Sequence, residues 1–209
     1  PPPRRSIFNL FPPFLSSGHF PWGLSFYHGS EDLSPLERKG GNKLKILLLG
    51  GGAREHAIAW ALEKSERVEA LDAAPGNPGI ARIAPCHDID PCDPVAVLDL
   101  VERVKADHVV VGPETPLVAG VADALRERGI PVFGPGMSGA RLEGSKAFSK
   151  QFMERHGIPT APFDIVKNMV EAEKALRSRT APYVVKADGL AAGKGAFLPE
   201  TLEEALRVC

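Results

Sequence analysis

The chain has 209 residues, with 25 lysines and arginines against 26 aspartates and glutamates. This balance gives no overall electrostatic attraction to nucleic acid or to an anionic membrane, so we expect neither as a partner. No apolar run approaches the roughly 20 residues that span a bilayer. Three cysteines without paired short spacings disfavour a disulfide framework and a structural zinc site. A reducing compartment follows, and we expect the cytoplasm.

Residues 1–43 differ in composition from the rest of the chain. They are rich in proline and aromatic residues and have neither a helical nor an alternating period, which predicts a disordered or adventitious extension. Arg4, Arg5 and the absence of acidic residues before Glu31 leave a plastid transit peptide open, although the proline content argues against it. The first methionine is Met137, so we expect processing, truncation or upstream sequence.

From residue 44 to residue 144, short apolar runs alternate with helical patterns. The run at 45–49 ends in three glycines, as a buried parallel strand does before a tight turn. We predict strands at 45–49, 68–73, 108–111 and 131–133, and helices at 53–64, 94–105 and 118–128. This order predicts an α/β fold, a doubly wound and Rossmann-like parallel sheet.

Residues 145–209 have a different pattern and predict the beginning of a second lobe. We predict helices at 146–156, 170–178 and 201–208, and a strand at 183–186. A lobe with so few strands cannot cover both faces of its sheet. We therefore expect this lobe to be truncated here.

The loop Gly50-Gly51-Gly52-Ala53-Arg54 lies between the first predicted strand and helix. Backbone N–H groups and the positive end of a helix favour a phosphate at such a turn, and glycines permit close approach. A tight turn without a ligand is the simpler alternative. A dinucleotide fingerprint would need glycine at Glu55. Asp72 ends the second strand, where a ribose-binding acid belongs, so that alternative is weakened and not excluded.

Two further loops follow predicted strands. They are residues 75–79, of sequence PGNPG, and residues 112–117, of sequence GPETPL. Ligands of open α/β sheets bind at the carboxyl ends of the strands, so three loops converging there indicate a site. Glu114 is suited to hydrogen-bond sugar hydroxyls or an amine, and a solvated loop carboxylate is the alternative.

The most informative segment is 184–195, where Lys186 ends an apolar strand and a loop of small residues carries Lys194. Two cations and a flexible backbone suit a polyphosphate. The segment is not a Walker loop, because no helix beginning with Lys-Ser or Lys-Thr follows it. It predicts one side of a hairpin that closes over a nucleotide, with a plain hairpin as the alternative.

Two groups of residues are weaker candidates. The stretch Cys86-His87-Asp88 carries metal-ligand atoms without a matching second pair, so free thiols are the preferred interpretation. His108 and His156 have no nearby nucleophile, so we assign them to core packing and helix capping.

Five motifs in order, GGGAREHA, APGNPG, VGPETPLVAG, LEGSKAFSKQFM and VVKADGLAAGKG, resemble those of the phosphoribosylamine–glycine ligases across residues 44–209. This family belongs to the ATP-grasp ligases, which hold ATP between two lobes. The resemblance implies that the phosphoribosylamine side is lined by Gly50, Gly52, Arg54, Asn77 and Glu114. It implies that ATP faces Lys146, Lys186, Gly193, Lys194 and Gly195.

The resemblance also implies a two-step reaction of purine synthesis. ATP phosphorylates the carboxylate of glycine, and the amine of phosphoribosylamine then attacks the acyl phosphate. Mg²⁺ (or Mn²⁺) would stabilise the phosphate charge, with ligands expected outside this chain, as are the catalytic residues. We therefore expect this chain alone to be inactive. Gly51, Ala53 and Ala196 depart from the common family pattern and leave the subgroup open.

Three rival interpretations remain open at this stage. One is a different ATP-grasp ligase, such as a carboxylase subunit. A second is a dinucleotide-binding oxidoreductase, which assigns no role to Lys186 or Lys194. A third is a binding fragment that retains only phosphoribosyl recognition. The oligomeric state is not indicated by the sequence.

Overall fold

The computed structural model describes the backbone of residues 5–9 and all of residues 43–191 and 194–209. Within these ranges the strands are β1 (Arg5–Asn9), β2 (Leu44–Gly50), β3 (Val68–Pro75), β4 (His108–Val111), β5 (Val132–Phe133), β6 (Phe163–Val166), β7 (Tyr183–Ala187) and β8 (Ala196–Phe197). The helices are α1 (Ala53–Glu63), α2 (Pro94–Val104), α3 (Glu114–Val118), α4 (Val121–Glu127), α5 (Met137–Gly144), α6 (Lys146–Arg155), α7 (Met169–Arg177) and α8 (Leu202–Arg207).

The first sheet is parallel and has the order β3-β2-β4-β5. Strand β2 is central, with Leu47 opposite Asp72 on one side and Val109 on the other. A central strand covered by helices on both faces is apolar at every position, which explains the continuous run of the sequence. The predicted doubly wound α/β fold is confirmed.

Alternate residues of β2 face two separate cores. Leu47 and Leu49 pack among buried residues of α2, α4 and β4. Ile46 and Leu48 pack on the opposite face with residues of α1 and β3. All four side chains are at most 6% exposed. Their burial fixes the position of β2 and therefore that of Gly50 at its carboxyl end.

Two helical regions differ from the prediction. The helix predicted at 118–128 is replaced by α3 and α4, because Gly120 adopts φ +88° between them and interrupts the helical path. Helix α5 was not predicted, since Pro135, Gly136 and Gly139 made that stretch resemble a loop.

The second sheet is antiparallel and has the order β6-β1-β7-β8. Strands β6, β8 and β1 were not predicted. The prediction of an extension without regular structure is wrong for Arg5–Asn9, where Ser6 pairs with Ile165 of β6 and with Lys186 of β7. Two flanking strands supply backbone partners on both sides of β1, and such hydrogen bonds need no hydrophobic pattern. The remainder of 1–42 lies outside the described residues.

A third core supports the second sheet. It contains Val166, Tyr183 and Val185 from the strands, together with Leu176 of α7 and Ala205 of α8. In the part of the chain that the structure describes, no helix combines the length and apolar character needed to cross a membrane.

Candidate functional site

The carboxyl ends of β2, β3 and β4 bring three loops together, as the sequence predicted. The N–H of Gly76 donates to the carbonyl of Gly50 at 3.2 Å, and the N–H of Gly112 donates to the carbonyl of Leu49 at 3.0 Å. These bonds extend the hydrogen-bond pattern of the parallel sheet beyond the ends of the strands. The loops that carry Arg54, Asn77 and Glu114 therefore leave one edge of the sheet side by side.

Polar side chains connect these loops further. The side-chain amide of Asn77 donates to the carbonyl of Gly51 at 2.9 Å, while its oxygen accepts from the N–H groups of Gly79 and Ile80. Arg54 donates to the carbonyl of Gly112 at 3.1 Å. Gly50, Gly52, Arg54 and Asn77 thus belong to one connected cluster, which we call the glycine side.

Glu55 lies under this cluster and was not selected from the sequence. Its side chain is 4% exposed, and its carboxylate accepts from the N–H of Gly52 at 2.6 Å. A Cβ added at Gly50 would lie 2.6 Å from Cγ of Glu55, and a Cβ at Gly112 would also meet this side chain. The available signal was an acid three residues after Gly52, the position from which a glutamate reaches back to a helix start.

Helix α6 and strand β7 form a second cluster, which we call the lysine side. Ser145 caps α6 by accepting from the N–H of Phe148. Asp188, just beyond β7, accepts from the hydroxyl of Ser145 at 3.2 Å and from the N–H of Ala147 at 3.1 Å. Lys146 donates to the carbonyl of Gly189 at 2.6 Å. The start of α6 is therefore fixed to the loop that follows β7.

A cavity of about 360 Å³ opens at the lysine side, and Glu114 from the loop after β4 also lines it. Its charged lining residues are Glu114, Glu143, Lys146, Lys150 and Lys186. Glu114, assigned by sequence to the phosphoribosylamine side, thus shares a cavity with two lysines assigned to ATP. Such a cavity suits a substrate that carries several negative charges and a polar group next to them.

Lys150 was not selected from the sequence, although it lies four residues after Lys146 and therefore on the same face of α6. It donates to the hydroxyl of Thr160 at 2.5 Å and to the carbonyl of Ala161 at 3.2 Å. Burial, followed by the positive charge of Lys186, lowers the pKa of Lys150 below its ordinary value.

Lys194 and Gly195, two further predicted ATP residues, lie on the hairpin of β7 and β8. Gly195 is buried, and its carbonyl accepts from the N–H of Ala187 at 2.8 Å. Lys194 is exposed, and among the described residues the cavity lining includes Lys186 and not Lys194. Gly193 lies outside the described residues.

Asp72 contacts the side chain of His87. Nε2 of His87 lies 2.7 Å from its carboxylate, and both groups are largely buried. A carboxylate held in this way is not presented to a ribose hydroxyl, which counts against the dinucleotide interpretation.

The remaining histidine and cysteine candidates are His108, His156 and the three cysteines. Burial lowers the pKa of His108 below its ordinary value, and the ring of His156 lies 4.3 Å from that of Phe152. Among the described residues, Cys86, Cys92 and Cys209 form no disulfide.

Comparison with known families finds two matching models, which belong to one enzyme. Residues 44–143 match the model of the phosphoribosylglycinamide synthetase N domain, and residues 144–209 match that of the ATP-grasp (A) domain of the same enzyme. The chain belongs to the phosphoribosylglycinamide synthetase family. The resemblance to phosphoribosylamine–glycine ligases inferred from the five motifs is confirmed.

Individual members of the family give the same result. The phosphoribosylamine–glycine ligase of Streptomyces coelicolor is 55% identical over 162 residues, and that of Brucella melitensis is 50% identical over 163. The crystal structure of the Thermotoga maritima phosphoribosylamine–glycine ligase superposes with a TM-score of 0.64 at 34% identity, covering 78% of this chain and 38% of that one. The chain spans about two fifths of the length of the curated relatives it matches.

Proposed function

We propose that this chain supplies the phosphoribosylamine-binding side and part of the ATP-binding side of a phosphoribosylamine–glycine ligase. The complete reaction would join glycine to 5-phosphoribosylamine with hydrolysis of ATP to ADP and phosphate, in purine synthesis. The observation that carries the proposal is the cavity in which Glu114, from the strand-end loops, meets Lys146 and Lys186.

The glycine side is suited to the phosphoribosyl group. The backbones of its loops lie close to one another. Gly50 has φ +123°, and a Cβ at Gly51 would collide with the carbonyl of Gly76. Arg54 is exposed at the start of α1, where the positive end of a helix favours a phosphate. Glu114 is a carboxylate of the cavity lining that is suited to bind ribose hydroxyls or the amine.

The lysine side is suited to the phosphates of ATP. The charges of Lys146 and Lys186 would offset the negative charge that builds up as glycine becomes an acyl phosphate. Glycine activation converts a carboxylate oxygen into a good leaving group, after which the amine of phosphoribosylamine displaces phosphate. Lys194 and Gly195 would cover the nucleotide from the β7–β8 hairpin.

Mg²⁺ or Mn²⁺ would accompany ATP in the proposed complete enzyme. Among the described residues, no group of three or more His, Cys, Asp or Glu side chains is arranged to hold a metal ion. In the proposed complete enzyme, the metal ligands and most of the binding site for the substrate glycine belong to regions outside this chain.

ATP binding by this chain tests the proposal. Calorimetric titration should detect ATP, and Lys186→Ala should weaken binding about tenfold, since one charge is removed next to the phosphates. Lys194→Ala should have a smaller effect because Lys194 is exposed. The exposed Lys174 on α7 provides a matched control, and Lys174→Ala should leave the affinity unchanged.

Three outcomes would contradict the proposal. They are absence of ATP binding, equal loss from Lys174→Ala, and tighter binding of NAD than of ATP. The complete reaction is tested on the native protein purified from its source, by ADP release that depends on both glycine and phosphoribosylamine.

A further inference from the structure

Strands β6 and β7 lie on either side of one intervening strand, β1. Both run antiparallel to β1, so they are parallel to each other, and helix α7 connects them along the chain. The three elements β6, α7 and β7 form a split βαβ unit, in which the two parallel strands are not neighbours. Two inter-strand spacings separate them, about 9.6 Å, which is too far for hydrogen bonds between their backbones. The unit therefore has space for one further strand.

The positions of β6 and β7 are fixed by a core that they share with the helices. This core contains Val166 of β6, Leu176 of α7, and Tyr183 and Val185 of β7. Leu176 and Val185 are fully buried. The core holds both strands from one face of the sheet, and the inserted strand completes the backbone hydrogen bonds between them.

Strand β1 comes from outside the region that the family shares. The split unit lies within residues 144–209, which match the ATP-grasp (A) domain, whereas neither family match includes residues 5–9. Residues 10–43 separate β1 from β2 along the chain. Nevertheless, β1 pairs with every residue of both flanking strands. Backbone pairing of this kind requires an extended segment and only a limited choice of side chains.

We propose that the space between β6 and β7 is an acceptor site for one extended peptide segment, and that Arg5–Asn9 occupy it as an exchangeable strand. The partner is defined by its backbone chemistry. It is a segment as long as the five residues of β1, antiparallel to both flanking strands and without proline at a paired position. In this chain the segment is supplied by the same molecule.

Occupancy of the acceptor site affects the strand that carries Lys186. Ser6 pairs with Lys186 on one side, and Ala196 of β8 pairs with it on the other. Without an inserted strand, β7 would lose the backbone partners along one whole edge. The backbone at Lys186 would then be more mobile, and anion binding would be weaker because it would have to order this strand. This consequence rests on the proposed ATP side, whereas the acceptor site itself does not.

Hydrogen exchange of the whole chain, resolved by mass spectrometry of its fragments, tests whether β1 can leave the sheet alone. Ile7→Pro removes an N–H group and places a ring at the centre of β1, which is paired on both sides. Amides of β6 and β7 should exchange about tenfold faster, while those of β2 and β4 in the first sheet should be unchanged. Ile7→Val is the matched control, because valine also favours a strand, and it should leave all rates unchanged.

A synthetic peptide tests the exchange directly. The probe has the sequence of residues 4–10, RRSIFNL, and is added in excess to the Ile7→Pro chain. It should restore slow exchange to β6 and β7, and the same peptide with proline in place of its isoleucine should not. The unmodified chain should need a much higher peptide concentration for binding, since its own segment competes at a high effective concentration.

Three results would overturn the acceptor site. One is unchanged exchange of β6 and β7 in the Ile7→Pro chain. Another is a peptide that fails to restore slow exchange, or that restores it equally well when it contains proline. The third is faster exchange of β2 and β4 as well, because β1 would then support the whole fold and would not be exchangeable.

ATP titration separates this inference from the proposed function. Ile7→Pro should weaken ATP binding about threefold or more, and the peptide should restore it. Unchanged affinity would overturn only the link to Lys186. Absence of ATP binding by the unmodified chain would overturn the proposed function and that link, while the acceptor site would still be decided by the exchange measurements.

Discussion

The glycine side and the lysine side are built on different physical principles. On the glycine side, Glu55, Asn77 and Arg54 direct their polar groups at backbone atoms and hold three loops in close contact. On the lysine side, Lys146 and Lys150 donate to a backbone carbonyl and to a hydroxyl, and both line the cavity. One side therefore depends on shape and the other on charge.

This difference determines which substitutions each side tolerates. An added methyl group on the glycine side has no space, because the backbone of one loop lies against the next. The lysines that line the cavity do not belong to the buried cores, so we expect the loss of one charge there to leave the fold in place. We therefore expect stability to respond mainly on the glycine side and anion affinity mainly on the lysine side.

The largest expected effect is that of Gly50→Ala. The new Cβ would lie 2.6 Å from Cγ of Glu55 and 2.7 Å from Cδ of Pro113, at a φ of +123°. Strain and overpacking together should lower the free energy of unfolding by about 3 kcal/mol or more. Thermal and urea unfolding monitored by circular dichroism measure this.

Gly129→Ala is the matched control for that substitution. Gly129 also has a positive φ, of +73°, but no atom lies within 4 Å of the added Cβ. It should cost only the backbone preference, about 1 kcal/mol. Equal losses for the two variants would show that the close contact at Gly50 is not what the glycine side depends on.

Glu55→Ala should have the next largest effect. It removes the acceptor of the Gly52 N–H and leaves unfilled space beside Gly50 and Gly112, at a cost of about 2 to 3 kcal/mol. Glu55→Gln retains the volume and one acceptor oxygen, so it should lose about half as much. Urea unfolding of both variants is the measurement. If Gln were as damaging as Ala, the negative charge and not the packing would be the contribution of Glu55.

The parallel sheet was predictable because its signal is local. Strand β2 is a continuous apolar run that ends in glycines, and the loops after β2, β3 and β4 had to leave the same edge once the sheet was parallel. The convergence of Gly50, Asn77 and Glu114 followed from that topology without any knowledge of their contacts.

The features that the sequence did not reveal depend on contacts between distant segments. The position of Glu55 three residues after Gly52 indicated a bond to the start of α1. Its burial could not be predicted, because it requires the distant Gly112 to lie against its side chain. Strand β1 forms because β6 and β7 pair with its backbone on both sides. The residue pattern of 5–9 does not indicate this pairing.

Asp188→Asn should have the smallest effect on stability and tests the comparison from the lysine side. Asp188 accepts from Ser145 and from the N–H of Ala147 at the start of α6, where a negative charge is favourable. Asparagine keeps an acceptor and loses the charge, so the free energy of unfolding should fall by about 1 kcal/mol or less. Urea unfolding at low salt measures it.

Asp93→Asn is the control for this substitution, because Asp93 caps α2 at an exposed position and asparagine caps equally well. It should be neutral. Because Asp188 fixes the segment that carries Gly189, the acceptor of Lys146, Asp188→Asn should also weaken ATP binding, by less than Lys186→Ala does. A loss of stability from Asp188→Asn as large as that from Gly50→Ala would contradict the division between shape and charge, since the lysine side would then depend on its internal packing as much as the glycine side does.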